Sequence, residues 1–516
     1  MTAASTYRPM PARKWTSESI AFGVTLFAVV AAVVWQLLRG ANPDVVWLSI
    51  AAERWLDGET LYRNILETNP PAAVLLYVPM VWAGHALGAL PERLIVPYTL
   101  AVFSLALFLT WRIISRTRYA SQFQWSWLLF ATVLLFVVFP FGMLGQREHF
   151  AAMATLVYVA AIAARVDGHK LAFWAIAATG VAGGLIGAIK PTLAAVPVFV
   201  ALAGALHIRS WRIVLAAENW IAAALFAAYL ALVYFGFPAF VQETMPMLRD
   251  GYIHYYPVAT VLRDMNVQIV LGTVLFAALL HWRDAVKGPF SLLFAASAGF
   301  MVSFWVQGKY FGYHALPVVA FALLAIAFVA LQRKPGSSKT VGAQTGIEAQ
   351  GAISLAAALL FASILSYANY GQTYGGKLTQ ALRALHSAPK VVGVISTLHP
   401  MLGEVRNANG TWVGAFGGAV VPEFAFWMRN VESVTRDHDS RLRHWEHWTA
   451  DVFRKDLMDK APDVVLMTVE QGFSWSKWFA KYPALQGELQ KYDLVRRLDV
   501  GKDMFPIDIY VRKNGR

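Results

Sequence analysis

Long apolar runs dominate the first 370 or so residues of this chain and limit its fold more than any other feature. Read in windows of about 19 residues, eleven of these runs are predicted to cross the hydrocarbon core of a bilayer as helices. A soluble multidomain enzyme is excluded, and an all-α polytopic membrane protein with about eleven transmembrane helices is predicted. The runs lie near 20–38, 94–114, 125–144, 150–164, 171–189, 192–207, 213–236, 267–281, 289–306, 314–331 and 350–368.

A further apolar stretch, 72–90, decides the orientation of the bundle. It follows two prolines and contains Pro79, so it is either another span or a helix lying in the membrane interface. If 1–19 is cytoplasmic and 72–90 does not cross, most loop Lys and Arg face the cytoplasm, as the positive-inside rule requires. An outside amino terminus with 72–90 crossing also satisfies the rule and is the alternative topology.

The composition changes after residue 369, where charged residues come every few positions. Short β-prone runs at 391–397, 463–469 and 506–512 are separated by helical stretches at 422–460 and 474–492. The chain is therefore predicted to divide into a transmembrane domain, 1–369, and a small soluble α/β domain, 370–516. The preferred topology makes that domain periplasmic, and 332–348 reads as a flexible cytoplasmic linker.

The excess of positive charge indicates membrane topology and not binding of nucleic acid. The chain has 44 Lys plus Arg against 31 Asp plus Glu, a formal net charge of +13. Within the membrane part most of the excess lies in short loops, where such cations set orientation. The absence of cysteine excludes disulfides, thiolate zinc sites and cysteine nucleophiles.

The first candidate site lies directly after the first span, in the segment 41–71, ANPDVVWLSIAAERWLDGETLYRNILETNPP. It places Asp44 at the membrane surface, followed by an Ala-rich helix, Gly58 and Tyr62. Glu67 opens the sequence Glu-Thr-Asn-Pro-Pro that leads into 72–90. This pattern resembles the first outer loop of the GT-C membrane glycosyltransferases.

The resemblance implies a bacterial inner-membrane enzyme that takes a sugar from a polyprenyl-phosphate donor. Its acceptor would be a cell-envelope glycan, a lipid or a protein. Many GT-C members carry an adjacent acidic pair after the first span, whereas Pro43 and Val45 flank Asp44 here. The use of a divalent cation, Mg²⁺ or Mn²⁺, is therefore left open.

Asp44 is the predicted catalytic residue. Transfer with inversion needs a base to take the proton from the acceptor hydroxyl, and a carboxylate shielded from water has a raised pKa suited to that task. One carboxylate suffices, because the donor phosphate leaves without an acid. The structural alternative is that Asp44, preceded by Asn-Pro, only caps a helix starting at Val45.

The second candidate cluster is 145–149, Gly-Gln-Arg-Glu-His, between two apolar runs. Polar groups at this depth are costly unless they face a cavity or each other. Arg147 is predicted to neutralise a phosphate, Glu148 to orient Arg147 or bind a metal, and His149 to donate to phosphate or ligate a cation. The structural alternative is a self-satisfied Arg–Glu pair at the end of a span.

The remaining predicted substrate-binding residues come from other outer loops and from the end of the first. Lysines there either attract an anionic head group or snorkel to the interface, and tyrosines either stack on a sugar or form an aromatic belt. These residues are Glu67, Lys190, Glu243, Lys309, Tyr310, Tyr313 and His314.

The preferred topology puts all these residues on one side of the bilayer. A cavity there would hold a lipid phosphate by its cations while Asp44 meets the acceptor. The main alternative is a secondary transporter or channel, which would place ionisable residues near mid-depth and show two related halves. A purely structural envelope scaffold is a third possibility, although a scaffold needs no Asp, Arg and Lys at one depth. Membrane lipids are expected partners and nucleic acid is not.

Overall fold

The computed structural model describes residues 16–252, 258–284, 289–332, 357, 375–396, 400–431, 434–470, 472–500 and 505–513. Apart from residue 357, the predicted span 350–368 lies outside the described residues, as does nearly all of the linker 332–348. The described chain is a helical membrane bundle followed by a small domain with a mixed β-sheet, which confirms the predicted fold class.

The first half of the bundle begins with a long helix and then alternates short helices with membrane-length ones. Its helices are α1 (Ser17–Arg39), α2 (Pro43–Leu56), α3 (Ala72–Leu75), α4 (Val78–Leu87), α5 (Ile95–Ile114), α6 (Tyr119–Gln122), α7 (Trp125–Val133) and α8 (Arg147–Val166). The second half has α9 (Phe173–Ile189), α10 (Ala195–Ile208), α11 (Ala217–Gly236), α12 (Met245–Gly251), α13 (Val258–Val261), α14 (Met265–Asp284), α15 (Pro289–Gln307) and α16 (Gly312–Ala330).

Among the described residues, seven helical segments are long and apolar enough to cross a membrane: α1, α8, α11, α15, α16, and α5 and α10 together with the 3-10 turns before them, Pro91–Ile114 and Pro191–Ile208. Ala72–Leu87, Trp125–Val138, Phe173–Ile189 and Met265–Leu279 are shorter apolar helical segments. The chain is therefore a multi-pass membrane protein. Within 72–90, α4 has ten residues and is about 15 Å long at 1.5 Å per residue, half of the roughly 30 Å hydrocarbon core.

The predicted run 125–144 is not one regular helix. α7 gives way to a π-helical turn, Leu134–Val138, and then to a 3-10 turn, Phe141–Met143, directly after Pro140. A π turn changes the hydrogen-bond register, and proline has no amide hydrogen to continue a helix. The regular α-helical hydrogen-bond pattern is therefore interrupted just before α8 begins.

α8 is the central helix of the bundle. It packs against α5, α9, α10, α15 and α16, and nearly all of its residues are buried. A helix that is apolar on all sides is expected in such a position. Its two ends nevertheless carry the charged residues Arg147, Glu148 and Arg165, so both ends place charge inside the protein.

The carboxy-terminal domain contains a five-stranded sheet in the order β2-β1-β3-β5-β4. β1 is parallel to β2 and β3, and β5 is antiparallel to β3 and β4. The three β-prone runs predicted from sequence became β1 (Lys390–Val394), β3 (Val464–Thr468) and β5 (Ile507–Arg512); β2 is Thr411–Trp412 and β4 is Tyr492–Leu498. The helices are α17 (Lys377–Leu385), α18 (Met401–Asn407), α19 (Val420–Val431), α20 (Arg436–Asp459), α21 (Trp475–Phe479) and α22 (Pro483–Leu489).

The small domain packs on α2, the helix that begins next to Asp44. Arg54 donates from Nη1 to Gly414 O at 2.6 Å. Arg406 of α18 contacts Glu53 at 2.7 Å and Glu92 at 3.2 Å, so one guanidinium joins the domain to two segments of the bundle. The domain therefore sits at the end of the bundle where α1 ends, which is called the site end below.

Candidate functional site

Asp44 is held at the amino end of α2 by two amide side chains. Asn42 caps the helix, and its Oδ1 accepts from Asp44 N at 2.9 Å. Gln146 Nε2 donates to Asn42 Oδ1 and to Asp44 Oδ2, both at 2.8 Å. The two hydrogens of a single amide thus fix the carboxylate to the start of α8. The structural alternative, a helix starting at Val45 and capped by Asp44, is wrong, because α2 starts at Pro43 and Asn42 is its cap. The Asp44 side chain instead faces the second candidate cluster through Gln146.

The turn that presents Gln146 and Arg147 depends on Gly145. Its φ is +75°, and a Cβ there would collide with Ile95, so a larger residue would force this turn to move. Tyr77 donates its hydroxyl to Gly145 O at 2.7 Å. The first turn of α8 is therefore locked to α4 and α5.

His149 supports the same turn. Its Nδ1 accepts from Gly145 N at 3.2 Å, and its Nε2 lies 2.8 Å from Phe136 O in the π turn. A carbonyl oxygen can only accept, so Nε2 carries the proton and the imidazole is neutral. The structure thus engages both ring nitrogens of this predicted substrate-binding residue with backbone groups; its predicted contact with substrate stays a prediction.

Four charged or titratable side chains from three parts of the chain meet beside Asp44. Lys190 Nζ donates to Glu148 Oε1 at 2.8 Å and lies 3.1 Å from His314 Nε2, which is 3.5 Å from Glu148 Oε1. Arg147 is only 5% exposed and Glu148 only 1%. The cluster is therefore screened from solvent, and its charges interact strongly.

Several polar atoms of this cluster have no hydrogen-bond partner within the described part of the chain. They are Arg147 Nε and Nη1, Glu148 Oε2, His314 Nδ1 and Gln146 Oε1. A buried polar atom left without a partner costs about 1–3 kcal/mol, and more when charged. The arrangement is thus incomplete as a purely structural ion-pair network, and its guanidinium is set to receive an anion.

The surroundings of Asp44 suit a base. Burial raises the pKa of Asp44 above the ordinary aspartate value, and the neighbouring Arg147 guanidinium and the Gln146 hydrogen bond offset only part of that rise. A carboxylate with a raised pKa takes up a proton more readily than a free aspartate.

Lys309 and its neighbours lie between α15 and α16 at the same end. Lys309 Nζ lies 3.8 Å from the ring centre of Tyr252 and 4.7 Å from that of Phe424, and it donates to Tyr252 O. Burial lowers the pKa of Lys309 to about 8. Of the tyrosines that follow it, Tyr310 packs against Phe304 and Trp305, and Tyr313 contacts the His314 ring with centroids 4.3 Å apart.

Two predicted acidic residues have other surroundings. Glu67 is 2% exposed and accepts hydrogen bonds from Trp47 Nε1 and from Asn69 N, the latter at 2.7 Å. Glu243 pairs with Arg63 at 3.0 Å. Their predicted contacts with substrate remain untested. Within the described ranges no three His, Asp or Glu side chains are grouped to hold a metal ion, and the predicted divalent cation also remains untested.

Gln146 and Asn42 are the site residues that sequence reasoning missed. Gln146 lies in the polar cluster 145–149, but the sequence assigned it no role. The available signal was its type: an amide is the neutral side chain that can donate two hydrogen bonds at once. Nothing in the linear sequence indicated that its partners would lie about a hundred positions earlier.

Comparison with solved structures finds a similar fold in ArnT from Cupriavidus metallidurans bound to undecaprenyl phosphate. The TM-score is 0.52 at 14% identity, and the match covers 95% of this chain and 97% of that chain. The apo structure of ArnT from the same organism matches with a TM-score of 0.52 at 13% identity, covering 95% and 98% of the two chains. The mycobacterial arabinofuranosyltransferase AftD matches with a TM-score of 0.46 at 14% identity, over 96% of this chain and 40% of that one.

No family model and no curated protein matches the sequence. At such low identity the structural matches concern the fold alone. The predicted resemblance to the GT-C glycosyltransferases is therefore confirmed as a likeness of fold over nearly the whole chain.

Proposed function

We propose that this chain is a membrane glycosyltransferase that moves a sugar from a polyprenyl-phosphate carrier to an acceptor hydroxyl beside Asp44. The observation that carries the proposal is the buried cluster next to Asp44, in which two donor groups of Arg147 have no partner among the described residues. The fold likeness to ArnT, whose structure contains undecaprenyl phosphate, supports the choice of donor.

Arg147 and Lys190 are the residues proposed to hold the donor phosphate. A guanidinium with free Nε and Nη groups suits two phosphate oxygens, and hydrogen bonds to charged groups are the strong ones. Lys190 supplies a second positive charge, and Glu148 holds it in place at 2.8 Å. Both cations stabilise the negative charge that builds up on the phosphate as it leaves.

Asp44 is proposed to act as the general base. The acceptor oxygen attacks the anomeric carbon, the bond from that carbon to the phosphate oxygen breaks, and its electron pair leaves with the polyprenyl phosphate. The acceptor proton passes to Asp44. Because Gln146 holds Oδ2, we assign Oδ1 as the oxygen that receives the proton.

The same proposal places the site end on the outer face of a bacterial inner membrane, with the carboxy-terminal domain in the periplasm. The chain has no cysteine, so single cysteines report topology without background. Thr60→Cys at the site end should react with an impermeant thiol reagent from outside, while Lys170→Cys at the other end should not. Labelling of Lys170→Cys alone would establish the reverse orientation.

Donor binding tests the function most directly. In lipid nanodiscs, Arg147→Ala should weaken the binding of undecaprenyl phosphate about 10- to 100-fold, as loss of a charged hydrogen bond predicts. Arg116→Ala, an exposed arginine at the opposite end of the bundle, is the matched control and should bind like the parent. Equal affinity in parent and Arg147→Ala would remove Arg147 from the donor site.

Turnover separates a transferase from a transporter. A transferase should convert a polyprenyl-phosphate-linked sugar to a glycosylated product and free polyprenyl phosphate in detergent, without any gradient. A transporter would move its substrate across vesicle membranes and yield no glycosylated product. Flux without product would refute the proposed activity even with the fold unchanged.

A further inference from the structure

A pocket on the carboxy-terminal domain lies outside the site described above. It has a volume of about 540 Å³ and is formed by α21, α22 and the edge of the sheet at β4 and β5. Ligand pockets commonly measure about 300–1,000 Å³. Its polar lining residues are Ser476, Gln486, Gln490, Tyr492, Tyr510 and Lys513.

Two of these side chains contain buried atoms without partners among the described residues, the hydroxyl of Tyr492 and Oε1 of Gln486. Tyr492 is only 5% exposed, and burial raises its pKa to about 12, so the hydroxyl keeps its proton. A protonated phenol and an amide oxygen without partners are a donor and an acceptor that an incoming group can satisfy.

The two tyrosines stand together because of strand register. Tyr492 pairs with Arg512 and Leu494 pairs with Tyr510, so Tyr492 and Tyr510 are diagonal neighbours on one face of the sheet. Gln486 and Gln490 are four residues apart and so project from the same side of the helix end above them. The pocket thus combines two phenol rings with two amides.

The charge of the lining favours a neutral ligand. None of its six polar residues is acidic, and Lys513 already donates to Gln490 O at 2.8 Å and lies 3.4 Å from Asp493. Arg512, which pairs with Tyr492 across the strands, donates to Ala461 O at 3.4 Å, so both of these neighbouring cations have partners. Hydroxyl, amide and phenol groups match the closely spaced hydroxyls of a carbohydrate, and the half-buried ring of Tyr510 matches its apolar face.

We propose that this pocket binds a neutral sugar unit of a glycan acceptor. This inference rests on the proposed glycosyl transfer, and it selects a glycan from the three acceptor classes. β4 is three strand spacings from β1, about 14 Å, and the domain contacts α2 near Asp44 through Gly403 and Gly417, which come after β1 and not from the β4 edge. Only an extended glycan would reach both places. The pocket would therefore hold sugar units of the acceptor that were added before the current transfer.

Binding is measured by saturation-transfer NMR on the full chain. Lipid nanodiscs replace alkyl maltoside detergent, because that detergent presents a sugar of its own. The probes are linear hexasaccharides of glucose, mannose, galactose and arabinose, each up to about 10 mM, where even weak sites with a millimolar Kd fill. At least one probe should show saturation transfer. If none of the four probes shows saturation transfer, the proposal is overturned.

Substitutions locate the binding. Tyr492→Phe removes one hydroxyl and keeps the ring, so it should weaken the bound probe roughly two- to tenfold, and Gln486→Ala should do the same. Gln380→Ala, at an exposed glutamine of α17 outside the lining, is the matched control and should bind normally. If all three variants bind like the parent, the sugar binds elsewhere and the pocket is not a site.

Transfer assays keep this inference separate from the proposed function. Tyr492→Phe should lower transfer to a long acceptor by the same factor and leave transfer to a monosaccharide acceptor unchanged. A chain that binds the probe through Tyr492 but never transfers sugar would refute the transferase. A chain that transfers sugar but binds no probe would refute only the pocket.

Discussion

At each end of α8 an arginine lies near a buried glutamate, but with different results. At the carboxyl end, Arg165 makes a two-pronged contact with Glu218, Nε to Oε1 at 3.0 Å and Nη2 to Oε2 at 2.9 Å. At the amino end, Arg147 and Glu148 each keep atoms without hydrogen-bond partners in the described structure. One end is a closed pair and the other is an open cluster.

The difference separates structural charge from functional charge within one helix. A closed Arg–Glu pair satisfies its own lone pairs and donors, so it holds α8 against α11 and needs no ligand. The open cluster leaves donors unsatisfied at a stability cost, and such a cost is characteristic of sites that bind something else. The same residue types thus have different roles according to how completely they are paired.

Asp44→Asn should produce the largest effect and tests the open end. The amide keeps the size of the side chain, and Asn42 still caps α2, so the unfolding temperature should stay close to that of the parent. Loss of a general base typically slows reactions about 10²–10⁴-fold, so transfer should fall by that factor. Retained transfer would remove Asp44 from the chemistry, and a large drop in stability would make it a structural residue.

Glu218→Ala should give the next largest effect and tests the closed end. Glu218 is fully buried and Arg165 is 25% exposed, so removing the carboxylate should cost about 1.5–3 kcal/mol of unfolding free energy. Undecaprenyl phosphate affinity of the folded fraction should not change. Glu18→Ala, an exposed acid of α1 at the same end, should leave stability unaltered. A loss of donor affinity in Glu218→Ala would show that the carboxyl end of α8 also contributes to donor binding.

The pH dependence of transfer should show a smaller effect. Asp44 acts as a base only when ionised, and burial raises its pKa, so activity should be lost as pH falls through that raised value. The acidic midpoint of kcat should therefore lie above about 3.9, the pKa of a free aspartate. A midpoint at or below the free value would contradict the burial argument for Asp44.

Lys309 should give the smallest effect. Its pKa is lowered to about 8, so the side chain is charged at pH 7 and mostly neutral at pH 9. Undecaprenyl phosphate binding to the parent should therefore weaken a few-fold between these values, whereas binding to Lys309→Ala should not respond in this way. The same pH response in both proteins would exclude Lys309 as its source.

Much of the site could be predicted from the sequence, because charged residues are rare within apolar runs and stand out there. Arg147, Glu148 and Lys190 were visible as ionisable residues at the ends of apolar runs, where burial is expensive. The hydrogen bonds of His149 and Glu67 could not be read from the sequence, because only the folded chain brings their partners near. His149 donates to Phe136 O in a π turn, and Glu67 accepts from Trp47 on α2.

The sequence by itself determined the membrane bundle, the small α/β domain and the position of charged residues at the ends of apolar runs, because hydropathy and periodicity are local properties of a chain. Only the tertiary structure decided which charges are paired. Gln146 reaches Asp44 from 102 positions away, and Lys190 and His314 meet across 124 positions. Whether a buried charge closes on a partner or stays open to a ligand depends on ångström distances between such segments, which no linear pattern encodes.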